Sequence, residues 1–361
     1  MLDVIVVGAG PAGSCAARAC ASAGLSVLLL ERERMPRDKP CGGATTEDFA
    51  RKLGAEGRAL IRYRTNRMRV FLDGDEIGSL RANNLYFKRA ELDEYLMRLA
   101  EGSGARVLEG EGVVSLSFGR DCARVRTDKG VYSGRLVVGA DGVNSVVRCA
   151  SGLESLRDKP DRLLCAVREG SADRATLDDL FRNGGGSTYF NAYFYSDLAG
   201  FGWAFPKGGD VNVGIGQVLG SADHLKETFR RMCSASAVGS DFVERARWHM
   251  IPFRPPRRVY AERVVLVGDA GGFVNPLMGS GIELGVESAE TAAAVAAEAC
   301  SRGDFSERSL SEYQTRCATP LRAIRMKAHL LCLLKFFIDH RLKSEPIEKF
   351  ALTRLAPLAG V

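Results

Sequence analysis

The chain has 361 residues, 46% of them hydrophobic and 26% charged, the balance of an ordinary soluble globular protein and more than one compact core usually holds. Its ten cysteines include no Cys-x-x-Cys pair and no cluster with the four histidines at metal-ligand spacing, which excludes a zinc or iron–sulfur site and reads as reduced thiols of a cytoplasmic protein without a signal peptide. The net charge of +6 is carried from Arg316 onward, nine basic residues against three acidic, rather than around a groove, which argues against nucleic acid.

The first apolar run, Leu2 to Val7, predicts a buried parallel strand. It meets Gly8-Ala9-Gly10-Pro11-Ala12-Gly13. Gly8 permits a sharp turn, Gly10 lets backbone approach phosphate, and Gly13 lets the following helix pack on the strand. That helix ends near Gly24, and a second strand, Ser26 to Leu30, delivers Glu31 where a ribose-binding acid belongs. Arg32 then opens a polar loop to Asp38, followed by the Gly-rich segment Lys39-Pro40-Cys41-Gly42-Gly43-Ala44.

Tyr86 to Arg89 leads into a helix, and Arg89 reads either as a cation for phosphate or flavin or as an ordinary helix-start residue. Strands are expected at 105–108, 112–118, 123–127 and 131–138. The last ends in Gly139-Ala140-Asp141-Gly142, which places Asp141 at the carboxyl edge of the sheet, where open α/β sheets bind ligands. Runs at 187–195, 201–206 and 210–216 predict an antiparallel sheet, one face of which is expected to cover the flavin with Tyr193, Tyr195, Trp203 and Phe205. A further strand, Arg263 to Val267, ends in Gly268-Asp269. Asp269 is suited to ribityl hydroxyls, and the segment through Gly279, Ser280, Gly281 and Ile282 starts a long Ala-rich helix whose amides would face the electron-rich edge of reduced flavin. A Gly-x-Gly-x-x-Gly alone identifies a dinucleotide; its pairing with the distant Gly-Asp element points to non-covalent FAD.

The fold expected is α/β: a Rossmann-like FAD domain from 1–70, 85–155 and 255–305, interleaved with an antiparallel β-sheet substrate domain from 71–84 and 156–254, and a C-terminal helical segment at 306–361. In that segment Leu330 to Leu334 and Phe336 to Ile338 flank Lys335, too short and interrupted to span a bilayer. It reads as a helix packed on the body, or as a basic apolar helix lying on the inner face of a membrane.

Across nearly all its length the sequence resembles the geranylgeranyl reductase family, within the flavoprotein superfamily that has the p-hydroxybenzoate hydroxylase fold. Gly8 to Gly13, Gly139 to Ser145, and Gly268-Asp269 with Pro276 to Ile282 are similar to the superfamily's FAD motifs. Lys39 to Gly43 resembles the family's cysteine loop beside the isoalloxazine, and Phe201-Gly202-Trp203-Ala204-Phe205-Pro206-Lys207 its Tyr-x-Trp-x-Phe-Pro substrate motif, with Phe201 where tyrosine is usual. The resemblance implies saturation of isoprenoid double bonds by reduced FAD. It implies Cys41, Gly42 and Gly43 at the flavin, Phe201, Trp203, Phe205 and Pro206 at an apolar unsaturated substrate, and Cys41 as the proton donor. A free thiol, ionising near about 8.5, stays mostly protonated at neutral pH. The external electron donor is open between NAD(P)H and a ferredoxin, because no second Gly-x-Gly-x-x-Gly unit is present. Three alternatives stand beside this reading: an FAD-dependent aromatic hydroxylase, a flavin-dependent halogenase, and a flavin-binding subunit without turnover.

Overall fold

The computed structural model describes residues 1–339 except 154–161, 184–185, 219–221, 237 and 240. Two sheets organise them. The first is built on five parallel strands in the order β17 (Val264–Leu266), β9 (Val131–Gly139), β1 (Leu2–Val7), β2 (Val27–Glu31) and β6 (Arg106–Glu109). The antiparallel strands β7 (Val113–Phe118), β8 (Ala123–Thr127) and β16 (Tyr260–Ala261) extend it. Strand β1 reads as a continuous apolar run because both its faces are covered. Val4 and Val6 pack into the core under the helices α1 (Pro11–Ser22), α4 (Arg89–Gly102), α9 (Ile282–Arg302) and α10 (Glu307–Arg316), while Ile5 and Val7 face β8 and the short helix α5 (Val146–Ala150).

The second sheet has nine strands. Its main path runs β15 (Arg247–Pro252), β10 (Arg162–Ser171), β14 (Asp210–Val218), β13 (Gly200–Lys207), β12 (Ser187–Phe194), β4 (Ile61–Leu72), β5 (Asp75–Phe87) and β3 (Ala44–Thr45), with β11 (Arg182–Asn183) attached to β12. All of these pairs are antiparallel except β12 with β4. One face carries a core with α6 (Arg174–Phe181), α7 (Ala222–Ala235) and α8 (Asp241–Glu244). The short helices α2 (Glu47–Lys52) and α3 (Gly54–Ala59) link β3 to β4.

One expectation changes. The hairpin β4–β5 pairs within the second sheet over most of both strands, from 61 to 87, rather than contributing only 71–84, because two strands joined by one ladder cannot be divided between sheets. The C-terminal segment packs on the body, the first of its two readings. Leu310 and Tyr313 of α10, and Leu321 and Ile324 of α11 (Ala318–Asp339), enter the core of the first sheet, and the Tyr313 hydroxyl donates to the Leu266 carbonyl at 2.8 Å. Further along α11, Ala328 and Leu331 pack on Leu163, Val218 and Phe253 of the second unit. The basic residues after 339 lie outside the described residues.

The approach of α1 to β1 admits no side chain at Gly13, where a methyl would overlap the Gly8 carbonyl oxygen. Gly13→Ala should destabilise the protein by about 3 kcal/mol, the upper end of overpacking costs, measured as a lowered denaturant midpoint with the transition slope unchanged. At Gly102 on α4 nothing lies within 4 Å, so Gly102→Ala should stabilise by about 0.5 kcal/mol.

Candidate functional site

A cleft of about 410 Å3 opens along the carboxyl ends of the parallel strands. Gly8, Gly10, Pro11 and Ala12 line it after β1, Glu31 and Arg32 after β2, Asp141 after β9, and Gly268 with Asp269 after β17. Gly279, Gly281 and Ile282 bring the start of α9 to the same space. That helix has no side-chain cap at Gly281, so its first amides remain available to an anionic or electron-rich group. Ser280 departs from expectation: it is exposed and outside the lining, with its carbonyl accepting from the Asn275 amide at 2.8 Å.

The glycines act by what they omit. A Cβ at Gly8, whose φ is +100°, would sit 2.5 Å from the Ala140 carbonyl oxygen, and one at Gly10 would face the Arg37 guanidinium at 3.7 Å. Gly13 lies outside the cleft lining and serves helix packing.

Glu31 is tied to the turn. It accepts from the Ala9 amide at 2.8 Å and the Glu33 amide at 3.1 Å while facing the cleft, and each oxygen has a second lone pair. Arg89 lines the cleft from the first turn of α4. Its guanidinium holds Asp93 through two 2.7 Å hydrogen bonds. Fully buried Asp93 takes a second cation, Arg37, at 3.0 Å. Sequence reasoning passed over Arg37, whose only signal was its place in a polar loop.

The residues present fit FAD. The buried Nε of Arg37 and the buried Oδ1 of Asp141 have no hydrogen-bond partner, although unpaired buried polar atoms are rare in native proteins. Both belong to residues lining the cleft. Burial also raises the Asp141 carboxyl above its ordinary range. A diphosphate over Gly10 would meet Arg37, and a polyhydroxylated chain would meet Asp141 and Asp269.

The far wall comes from the second sheet, in β15, a strand the sequence did not announce. Arg247, Trp248, His249 and Ile251 line the cleft from this strand. Arg247 pairs with Asp38, and Lys39 donates to His249 Nε2 at 2.7 Å, so the cysteine loop is strapped to β15 at two points. Burial lowers the affinity of Lys39 for its proton.

The cysteine loop also packs on the aromatic strand. A Cβ at Gly42 would lie 2.7 Å from Phe205 and 3.5 Å from Trp203 Nε1, and Gly43, with φ +62°, donates its amide to Cys41 Sγ at 3.3 Å. Cys41 lines the cleft, whereas Gly42, Gly43 and the aromatics do not. Behind the loop, Phe205, Trp203 and Phe201 form a continuous row with centroids 5.9 and 5.8 Å apart, joined by Phe194 and Val167.

Strand parity corrects three substrate-site expectations. Trp203 pairs with Ala192, whereas Tyr193 pairs with Gly202 on the opposite face. Tyr193 therefore lies in the core beside α7, bonded to Ser236 Oγ at 2.8 Å, and Tyr195 joins it there under Arg231. Pro206 shares the parity of Gly202 and Ala204, away from Trp203. Lys207 takes its place on the Trp203 face, fully buried, donating to the Phe87 carbonyl and lying 3.5 Å from Glu169.

His249 supplies a pH test. Burial first, and Lys39 second, lower its pKa from 6.5 to about 3. Between those values the unfolded chain binds a proton that the folded protein does not, so stability rises with pH across the window and is lost on acidification. His249→Gln keeps an acceptor for Lys39 and removes the titration. In denaturation at successive pH values, its slope across this window should be flatter than wild type by up to about 1.4 kcal/mol per pH unit.

Residues 1–167 match the family model for an FAD binding domain. The chain is 31% identical to the digeranylgeranylglycerophospholipid reductase 2 of Methanothermobacter thermautotrophicus, over 87% of this chain and 82% of that one. It is 30% identical to the menaquinone reductase of Mycolicibacterium smegmatis, over 92% and 85%. The crystal structure of a geranylgeranyl bacteriochlorophyll reductase-like protein from Thermoplasma acidophilum superposes with a TM-score of 0.74 at 23% identity, covering 94% of this chain and 90% of that one. The chain thus has an FAD-binding domain and belongs to the geranylgeranyl reductase family of FAD-dependent oxidoreductases.

Proposed function

We propose that the protein saturates carbon–carbon double bonds in the isoprenoid chain of a lipid or quinone. The carrying observation is the place of Cys41, which lines the cofactor cleft while its loop rests on the Trp203–Phe205 wall. The names of the two sequence relatives support a prenylated substrate. Reduced FAD, when bound, would supply the hydride, its two electrons coming from NAD(P)H or from two one-electron transfers by a ferredoxin. The chain supplies the rest. Its glycines, Arg37 and Asp141 hold the cofactor with Asp269, the aromatic row holds an apolar chain and excludes water, and the Cys41 thiol gives a proton to the second carbon. An isolated alkene resists hydride alone, so this proton must lead or accompany the transfer.

The test is anaerobic. Dithionite-reduced holoprotein is offered a digeranylgeranyl phospholipid or a prenylated menaquinone, and products should be two hydrogens heavier for each bond saturated. Cys41→Ala should retain FAD and lose about 100-fold in rate, the low end of general-acid contributions. A full rate in that variant removes the acid role, and oxygen incorporation into a phenol in air moves the reading to a hydroxylase.

A lipid substrate also gives meaning to α11. No helix among the described residues is long and apolar enough to cross a membrane. Opposite the buried stripe of Leu321, Ile324, Ala328 and Leu331, however, α11 exposes Met326 (56%) and Leu333 (57%), one heptad apart. With the basic residues that follow, this face suits an anionic bilayer surface. The protein should float with anionic vesicles and remain behind with neutral ones, and Met326→Glu with Leu333→Glu should abolish flotation while FAD content is unchanged.

A further inference from the structure

The side chain that joins the aromatic wall to the cysteine loop is Asn212, on β14 beside Phe205 in the sheet register. It is 2% exposed. Its Oδ1 accepts from Trp203 Nε1 at 2.9 Å, and its Nδ2 donates both to the Cys41 carbonyl and to Glu169 Oε2, each at 3.0 Å. Both amide hydrogens are thereby used. The reverse orientation of the amide would set its NH2 against the indole N–H and its oxygen against a carbonyl and a carboxylate, so only one orientation satisfies all three partners.

The neighbours make this amide a gauge between two surfaces. Trp203 lies over Gly214, where a Cβ would overlap the indole, so the ring has room to rest flat on β14. It stacks on Phe205 with planes 25° apart. Among the described residues the indole N–H donates to Asn212, and the height of Cys41 above the wall is set by the same amide. Glu169 in turn is 3.5 Å from buried Lys207, whose ammonium also bonds the Phe87 carbonyl at the foot of the loop. Phe87 donates its amide to the Gly43 carbonyl at 3.0 Å, which closes the bracket around the loop.

We infer that Asn212 is a positioning residue, which fixes the Trp203 ring and the Cys41 backbone at one mutual distance so that a double bond held on the wall meets the thiol. This rests on the proposed roles of Cys41 and the aromatic row. Asn212 does not line the cofactor cleft; it acts through the two residues it holds. An apolar residue of similar size, leucine, removes all three bonds. Aspartate keeps the bond to Trp203 but turns an oxygen toward Glu169 and the Cys41 carbonyl, and Glu169→Gln in that background returns a donor to the carboxylate.

The experiment compares Asn212→Leu, Asn212→Asp and the double variant Asn212→Asp/Glu169→Gln as FAD-loaded proteins, with the prenylated menaquinone or digeranylgeranyl phospholipid as probe. Asn212→Leu should lose about 100-fold in kcat, the cost of a misplacement near 1 Å, with KM and FAD occupancy within about threefold of wild type. The double variant, which relieves the clash with Glu169 but returns no donor to the Cys41 carbonyl, should stay at least tenfold below wild type in kcat while keeping the bond to Trp203. The protein has two tryptophans, so in a Trp248→Phe background Trp203 is the sole reporter, and its emission should move to shorter wavelength in Asn212→Leu.

A kcat within threefold of wild type, or a loss that tracks FAD occupancy, overturns the inference. So does an unchanged Trp203 emission. Should Asn212→Leu fail to fold, the double variant decides, and a kcat within threefold of wild type there, with the donor to the Cys41 carbonyl lost, counts against the bracket. If the wild-type protein reduces neither probe, the functional reading falls, and the emission of Trp203 alone decides whether this amide sets the ring.

Discussion

Helix α1 lies on strand β1 with no space for a methyl group at Gly13, and the rest of the site depends on that approach. It puts the amino end of α1 directly beyond β1, where amides and a partial positive charge face the cleft. Segments far apart in sequence then converge on the same point for the same reason. A Cβ at Gly8 would meet Ala140, and Cβ atoms at Gly268 and Gly285 would meet Ala12 at 2.9 and 3.4 Å. Three stretches of chain thus share one backbone junction because each presents little or no side chain there.

Charge is arranged around this junction as tightly as shape. Asp93 is fully buried, yet Arg37 and Arg89 both bond it, so the carboxylate is paired twice and two cations are steered toward the cleft. Removing either arginine would leave a buried charge poorly paired, which costs far more than an exposed ion pair contributes. Lys39 is handled differently. Its hydrogen-bond partner is neutral His249, and burial works against both charges, an effect that the Asp269 carboxylate partly offsets for the ammonium.

The two sheets divide the remaining work, and Cys41 stands where they meet. The parallel sheet ends in the loops that take the cofactor. The antiparallel sheet turns one face to helices α6, α7 and α8 and the other to the cysteine loop, and its alternation decides which side chains reach which region. Lys207 and Glu169 occupy the loop-facing side although both are ionisable, because each finds a partner there. Burial holds the Lys207 ammonium below its ordinary range, the expected cost of placing a cation among aromatic rings.

What the sequence determined by itself was everything carried by short, contiguous stretches of chain. The glycine cradle after β1, Glu31 after β2, Asp141 after β9 and Asp269 after β17 were legible because a strand, a turn and an acid leave a local pattern, and the Lys39 to Gly43 and Phe201 to Lys207 segments were legible by resemblance. Tertiary structure alone decided the faces and the partners. Strand β12 carries aromatics at both parities, Tyr189 and Tyr193 against Phe190 and Phe194, so no periodicity could say that Tyr193 faces α7; only its register with β13 does. The same holds for Pro206 against Lys207. Asn212 and His249 left no signal, since a hydrogen bond between residues 171 or 210 positions apart depends on where two sheets come to rest against each other, and that is set by packing rather than by any neighbour in the chain.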